Sequence, residues 1–412
     1  MAESVDLAAF GAEFTANPHP VYAELRSLGP VHRVRLPPPD DTTDIHLVVG
    51  YEEGRAALAD PRLVKSSAPL GVTLLEEELI GTHLLLADPP RHTRLRRLVT
   101  KEFTARRVQA LRPRIQRITD DLLDAMLAPG APGAPGAPGA PGAPGDRRAD
   151  LVDALAFPLP ITVICELLGV PDIDREEFRR MSNSVVAAPS QEAERAVFVE
   201  LAAYLDDLIE AKKNRVGDDD LLAALIRATG DDDSDRLTPA ELRAMAYVLL
   251  IAGHETTVNL IANAVRALLA HPDQLADLRA DMTLLDGAIE ETLRWEGPVE
   301  NSTYRFAAEP VEIGGTVVPA GSAVLIGIAA ADRDPERFPD PDRFDIHRAP
   351  QGHVAFGHGL HFCLGAPLAR VEAKAALGSL LARCPDLAAD GPSGEWLPGM
   401  LIRGVRRLPV RW

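Results

Sequence analysis

The chain of 412 residues is 46% hydrophobic and 25% charged, enough apolar material for one large domain or roughly two to three ordinary ones. Its net charge of −18 argues against nucleic acid as a main partner, and three cysteines (Cys165, Cys363, Cys384) are too few for a disulfide framework. The longest apolar run, "MAYVLLIAG", is far too short to span a bilayer, and "MAESVDLAAFG" has no basic-then-apolar signal pattern, so a cytoplasmic setting without membrane contact is expected.

In chain order, helical patterns are predicted near 19–27, 91–99, 105–127, 151–168, 173–183, 192–214 and 219–228. A helix of 33 residues is predicted from Pro239 to His271, about 50 Å at roughly 1.5 Å per residue. Thr238, Pro239 and Glu241 form its start signal, and His271-Pro272 stops it. The run is apolar over much of its circumference, so it should be central and buried. Further helices are expected at 273–280, 283–295 and 366–383, with short strands at "HLVVG", "VEIGG", "TVVPAG" and "SAVLIGIAA". The expected class is mainly α with a minor β part. Residues 128–145 repeat the triplet Ala-Pro-Gly six times; this is read as a loop insertion with no chemistry, inside a single domain spanning 1–412. From Arg91 to Arg117 there are ten Arg or Lys against one acid, Glu102, a local charge of +9. A solvated helix face, a docking site for an acidic protein and a cradle for an anionic cofactor all fit it.

The stretch "FGHGLHFCLGAPLAR" at 356–370 holds the most specific chemistry. A lone cysteine is ordinarily a small buried hydrophobe. Here Gly357, Gly359 and Gly365 allow close approach of a flat ligand, and the helix that follows would stabilise a thiolate at its N-terminus. No zinc-like spacing exists, because the other cysteines sit in apolar helical runs. A single thiolate in a glycine-lined turn points to haem iron. A second motif, "IAGHETT" at 251–257, interrupts the apolar long helix with Gly253, His254, Glu255, Thr256 and Thr257.

The first stretch resembles the haem-binding loop of the cytochrome P450 family, with Phe356, Gly359, His361, Cys363, Gly365 and Ala366 at motif positions. The resemblance extends along nearly the whole chain and is strongest to actinomycete macrolide hydroxylases of the pikromycin-biosynthesis type. It implies the family's fold, with a long central helix over a buried haem b, and Cys363 as the iron ligand. Glu255 and Thr256 resemble the family's acid–alcohol pair, which delivers protons to dioxygen during its reduction, while Ala252 is small enough to leave room for haem and O2. His254 falls on the other side of the helical pattern, and no catalytic role is expected for it. His92, Arg96, Arg305 and His361 match the positions that meet the haem propionates, whose burial requires cations. Glu291 and Arg294 resemble a structural Glu-x-x-Arg pair, with Arg343 expected as its third partner. Arginines left over from the propionates (Arg94, Arg97, Arg106, Arg107, Arg112) are expected to form a basic proximal face for an acidic ferredoxin.

The resemblance further implies a monooxygenase that hydroxylates or epoxidises an unactivated carbon of a bulky lipophilic metabolite, most readily a macrolide or related polyketide of antibiotic biosynthesis. Electrons would come from NAD(P)H through an external reductase and ferredoxin, because the chain has no flavin or nicotinamide fingerprint. Substrate-pocket candidates are Glu77, Leu85, Val248, Leu249, Ala252, Val299 and Leu401. The acidic run Glu76–Glu78 could pair with an amino sugar or simply be a solvated loop. A monomer is expected. The alternatives are a peroxide-driven peroxygenase on the same scaffold and a non-catalytic haem sensor; retention of Glu255 and Thr256 speaks against the first.

Overall fold

The computed structural model describes residues 4–37, 44–67, 71, 73–100, 103–128, 147–170, 180–182, 184–185, 190–213, 220–228, 236–349, 352–392 and 394–412. All of the Ala-Pro-Gly repeat but Ala128, and most of the helix predicted at 173–183, lie outside them.

Among the described residues, the helices that frame the site are α1 (His19–Leu28), α2 (Tyr51–Ala59), α3 (Arg91–Thr100), α4 (Ala105–Leu127), α5 (Pro158–Leu168), α6 (Gln191–Lys213), α7 (Pro239–Ala270), α8 (Leu285–Glu296) and α9 (Ala366–Arg383). The start signal of α7 forms as predicted. The Thr238 hydroxyl accepts from the Glu241 amide at 3.2 Å, and the Glu241 carboxylate accepts from the Thr238 amide at 3.0 Å. Two of the elements expected from the sequence divide. The run at 151–168 becomes a π-helical turn, Val152–Ala156, followed by α5; Phe157 bonds back to the carbonyl of Val152, and Pro158 has no amide to continue that pattern. The strand expected over "SAVLIGIAA" ends at Ile326, and the alanine run after Gly327 turns into the short helix Ile328–Ala331.

One six-stranded sheet flanks the helices. Its members are β1 (Val5–Asp6), β2 (Val31–Arg35), β3 (Asp44–Val48), β4 (Leu63–Val64), β5 (Arg305–Ala307) and β6 (Ala323–Ile326), in the order β1-β2-β3-β6-β5-β4. β3 and β6 pair in parallel with His46 opposite Val324, while β6 and β5 run antiparallel with Val324 opposite Arg305. This brings β4 and β5, far apart in sequence, to one edge. The main core centres on α7, which packs against α5, α6, α8 and α9.

Candidate active site

Along α7 nearly every side chain is buried, yet Ala252, Gly253 and Thr256 retain accessible surface at its middle. That surface is one wall of an internal cavity of about 260 Å³. Gly253 is needed on the adjoining side, because a Cβ there would lie 2.9 Å from Ile164 of α5. Facing α7 is the loop before α9, with Phe356, Gly357, His361, Cys363 and Gly365. Gly357 and Gly359 both adopt φ of +72°, and the Cys363 amide bonds the Phe356 carbonyl at 2.9 Å, closing a turn that aims the sulfur inward.

Cys363 is exposed by accessible area, but that area opens into the cavity, and burial dominates its chemistry. Burial pushes its thiol up; the amides of Gly365 and Ala366, then Arg96 and Arg370, pull it back toward the thiolate. A metal cation against the sulfur would complete the deprotonation, and the two amides suit an anionic ligand.

Beside the sulfur is a set of donors without acceptors. Both ring nitrogens of His92, Nδ1 of His361 and Nε of Arg305 are buried without a hydrogen-bond partner. The two imidazoles lie 4.4 Å apart. Arg96 reaches only the carbonyl of Phe362 at 2.7 Å, and Arg305 that of Leu63 at 3.2 Å, leaving further N–H groups on each. Burial holds Arg305 down to about 10 and, with Lys65 and its other cationic neighbours, His361 down to about 2. Four cationic or donor side chains crowded in a dry site are stable only around an anion, so these residues fit a group carrying carboxylates.

Thr256 donates its hydroxyl proton to the Ala252 carbonyl at 3.0 Å. Glu255, its neighbour in the chain, faces away from this cavity. It accepts from Ser182 and lies 3.2 Å from His254 Nε2.

The pair Glu291–Arg294 forms a two-pronged contact, 2.8 Å at each prong. Its third partner is Arg348, whose Nε sits 3.3 Å from Glu291, and this corrects the expectation for Arg343. Arg343 contributes only its carbonyl, at 3.1 Å from Arg294, while its side chain is 64% exposed beside Asp345. Both arginines lie in one short stretch, and only the turn at 343–348 decides which points inward.

Leu85, Val248, Leu249 and Val299 line the cavity together with Ala252. Glu77 and Leu401 do not. Glu77 accepts from Thr82 at 2.7 Å, Glu76 pairs with His83 at 2.8 Å, and Glu78 with Arg195 at 3.1 Å, so each carboxylate of that run is engaged within the chain. Arg94 is likewise not free for a basic face, being bonded to Glu241 and to the carbonyl of Arg236. Arg106, Arg107 and Arg112 are exposed on α4. Two charged lining residues escaped the sequence reading. Lys65, one of only five lysines, is buried with its ammonium on the carbonyls of Thr303 and Tyr304, tying β4 to the start of β5. Glu372 of α9 is buried, with one carboxylate oxygen lacking a partner, and burial raises it to about 8.

A cavity closed by a sulfur-bearing turn, ringed by unmatched cations and crossed by a helix bearing Thr256, has counterparts in known proteins. The family model "Cytochrome P450" matches residues 180–385. Cytochrome P450 monooxygenase PikC of Streptomyces venezuelae is 56% identical over 411 residues, covering 99% of this chain and 94% of that protein. 6-deoxyerythronolide B hydroxylase of Saccharopolyspora erythraea is 44% identical over 406 residues, covering 95% of each. The structure of the tirandamycin C-bound P450 monooxygenase TamI matches with a TM-score of 0.87 at 44% identity, covering 99% of both chains. Fold, site and relatives together define a class, the haem-thiolate monooxygenases. The chain belongs to the cytochrome P450 family.

Proposed function

We propose that this monooxygenase hydroxylates or epoxidises an unactivated carbon of a bulky lipophilic metabolite, a macrolide or related polyketide, with electrons from NAD(P)H delivered through a ferredoxin reductase and a ferredoxin. When bound, the haem would supply reductive activation of O2 at an iron ligated by Cys363. The chain's own residues do the rest. Cys363 holds the metal, and the amides of Gly365 and Ala366 stabilise its charge. Arg96, Arg305, His92 and His361 hold the carboxylates. Thr256 orients water at the α7 wall, and Glu255 supplies it with protons. Val248, Leu249, Leu85 and Val299 press the substrate against that wall and exclude water.

The observation that carries this reading is the shared cavity of Cys363 and Thr256, whose lining combines a few charged and hydroxyl side chains with a largely apolar remainder. Macrolide hydroxylases among the relatives support the substrate class, as does the internal pairing of Glu76, Glu77 and Glu78, which leaves a neutral macrolactone better suited than an amino sugar to the described wall. The exposed arginines of α4 suit an acidic ferredoxin. Spectral titration of the ferric protein with macrolactones, steroids and cyclic peptides tests the substrate class; tightest binding is expected for the macrolactones, and binding confined to steroids or peptides overturns it. Cys363→Ser tests the ligand. It is expected to lose the carbon-monoxide band of a thiolate-ligated haem, and an unchanged band refutes the assignment.

A further inference from the structure

Behind the α7 wall, His254, Ser182 and Glu255 form a buried hydrogen-bonded cluster. His254 Nδ1 lies 2.8 Å from the carbonyl oxygen of Leu250, which can only accept, so Nδ1 carries a proton. The single proton of the Ser182 hydroxyl goes to Glu255 Oε1. His254 Nε2 lies 3.0 Å from Ser182 Oγ and 3.2 Å from Glu255 Oε1. The three side chains therefore form one continuous hydrogen-bonded run from Nε2 through Oγ to the Glu255 carboxyl. His254 and Ser182 have no accessible surface and Glu255 only 5%, and Phe157 meets the imidazole edge-on at 5.9 Å.

Burying an imidazole beside a carboxyl is costly and a weak source of stability, so the function of the cluster lies in what it adjoins. Glu255 lines a second cavity of about 330 Å³, whose polar lining is completed by Asp153, Asn259, Arg406 and Arg407. Among the described residues, none lines both this cleft and the Cys363 cavity. The cleft is bordered by the π-helical turn at Val152–Ala156 and, from α7, by Glu255, Val258 and Asn259, with Glu255 preceding Thr256 in the chain.

We propose that His254 and Ser182 are a proton store for Glu255, recharged from water in this second cleft. The proposal rests on the oxygenase reading above. In the transfer, Ser182 gives its proton to the Glu255 carboxylate and takes the Nε2 proton of His254. This leaves a carboxylic acid, an intact hydroxyl and a neutral imidazole. The acid's proton is the one consumed on the Thr256 side. A proton arriving from cleft water at Glu255 runs the exchange backward and restores the imidazolium. His254 and Ser182 are thus positioning residues that act through Glu255.

The test has two arms. In holoenzyme labelled with nitrogen-15 histidine, in the diamagnetic ferrous carbon-monoxide form at neutral pH, one histidine is expected to show protons on both ring nitrogens. That signal should be lost in His254→Gln. An unprotonated Nε2 at His254 overturns the proposal. The second arm uses a plant-type ferredoxin, its reductase, NADPH and O2 without added substrate. Ser182→Ala should raise the share of electrons recovered as peroxide by about threefold or more, and Ser182→Thr, which keeps the hydroxyl, should restore the original share. An unchanged share in Ser182→Ala, with the carbon-monoxide band intact, overturns it too. Absence of that band from the wild-type chain would instead sink the oxygenase reading, while the histidine signal still reports on the cluster.

Discussion

Thr256 keeps its hydroxyl proton on the Ala252 carbonyl, so the oxygen lone pairs remain directed at the cavity, where they can hold a water. Thr256→Ala removes that anchor without altering the apolar walls. It is expected to go on consuming NAD(P)H while diverting electrons to peroxide; an undiminished yield of product per electron would contradict proton delivery at this position. Arg348 and Arg343 separate in the same residue-by-residue way. Arg348→Ala leaves the buried Glu291 short of one cation and is expected to cost about 1–3 kcal/mol in denaturant unfolding, whereas Arg343→Ala should stay within about 0.5 kcal/mol. Residue identity was legible wherever a motif dictates it, as at Cys363 and Thr256. It was not legible where two like residues share a turn, because the direction of a side chain is set by backbone dihedrals that depend on the surrounding fold.

At the scale of elements, the loop before α9 is held by what packs beneath it. Gly359 has φ of +72°, and a Cβ there would approach the Cα of Ala59, at the end of α2, to 3.0 Å. The close neighbour is backbone and cannot swing away. Gly359→Ala therefore combines left-handed strain with a clash and is expected to destabilise by roughly 1–3 kcal/mol and to lower haem retention, read from the ratio of haem absorbance to protein after gel filtration. The long helix α7 was legible in its sequence to within one residue, because its cap, periodicity and terminal proline are local signals. The division of 151–168 was not, although the prolines at 158 and 160 were its visible cause. Short β2, β4 and β5 escaped as well: their pairing partners lie far along the chain, and strands of this length carry too few side chains to show a period.

Across the molecule, buried carboxyls set opposing demands on pH. Burial raises Asp332 to about 7, against the smaller pull of His353 and the Val354 amide. The folded state then binds that proton more tightly than the unfolded chain, so the stability it contributes is complete below about pH 4 and is lost as pH rises through 7. Glu290 works the other way. Burial pushes it up, but Arg370 and His353 outweigh this and hold it down to about 2, so its contribution is present at neutral pH and lost only as pH falls below the usual carboxylate range. Asp332→Asn is accordingly expected to melt higher than the wild type at pH 8, with the difference closing toward pH 5. A difference independent of pH would refute the assignment.

Tertiary structure also decides what α7 is. By length and hydropathy the helix could cross a bilayer, yet most of it is buried inside the protein as the core helix. The amino-acid sequence by itself determined the helical class, the glycine turn around Cys363 and the long helix that carries Thr256, since each depends on neighbours within a few positions. Only the folded chain decided that His254 and Ser182 meet Glu255, that Arg348 rather than Arg343 completes the Glu291 cluster, and that Glu77 turns away from the cavity. These depend on contacts between segments distant in sequence, and no local pattern encodes which of several equivalent side chains the packing will turn inward.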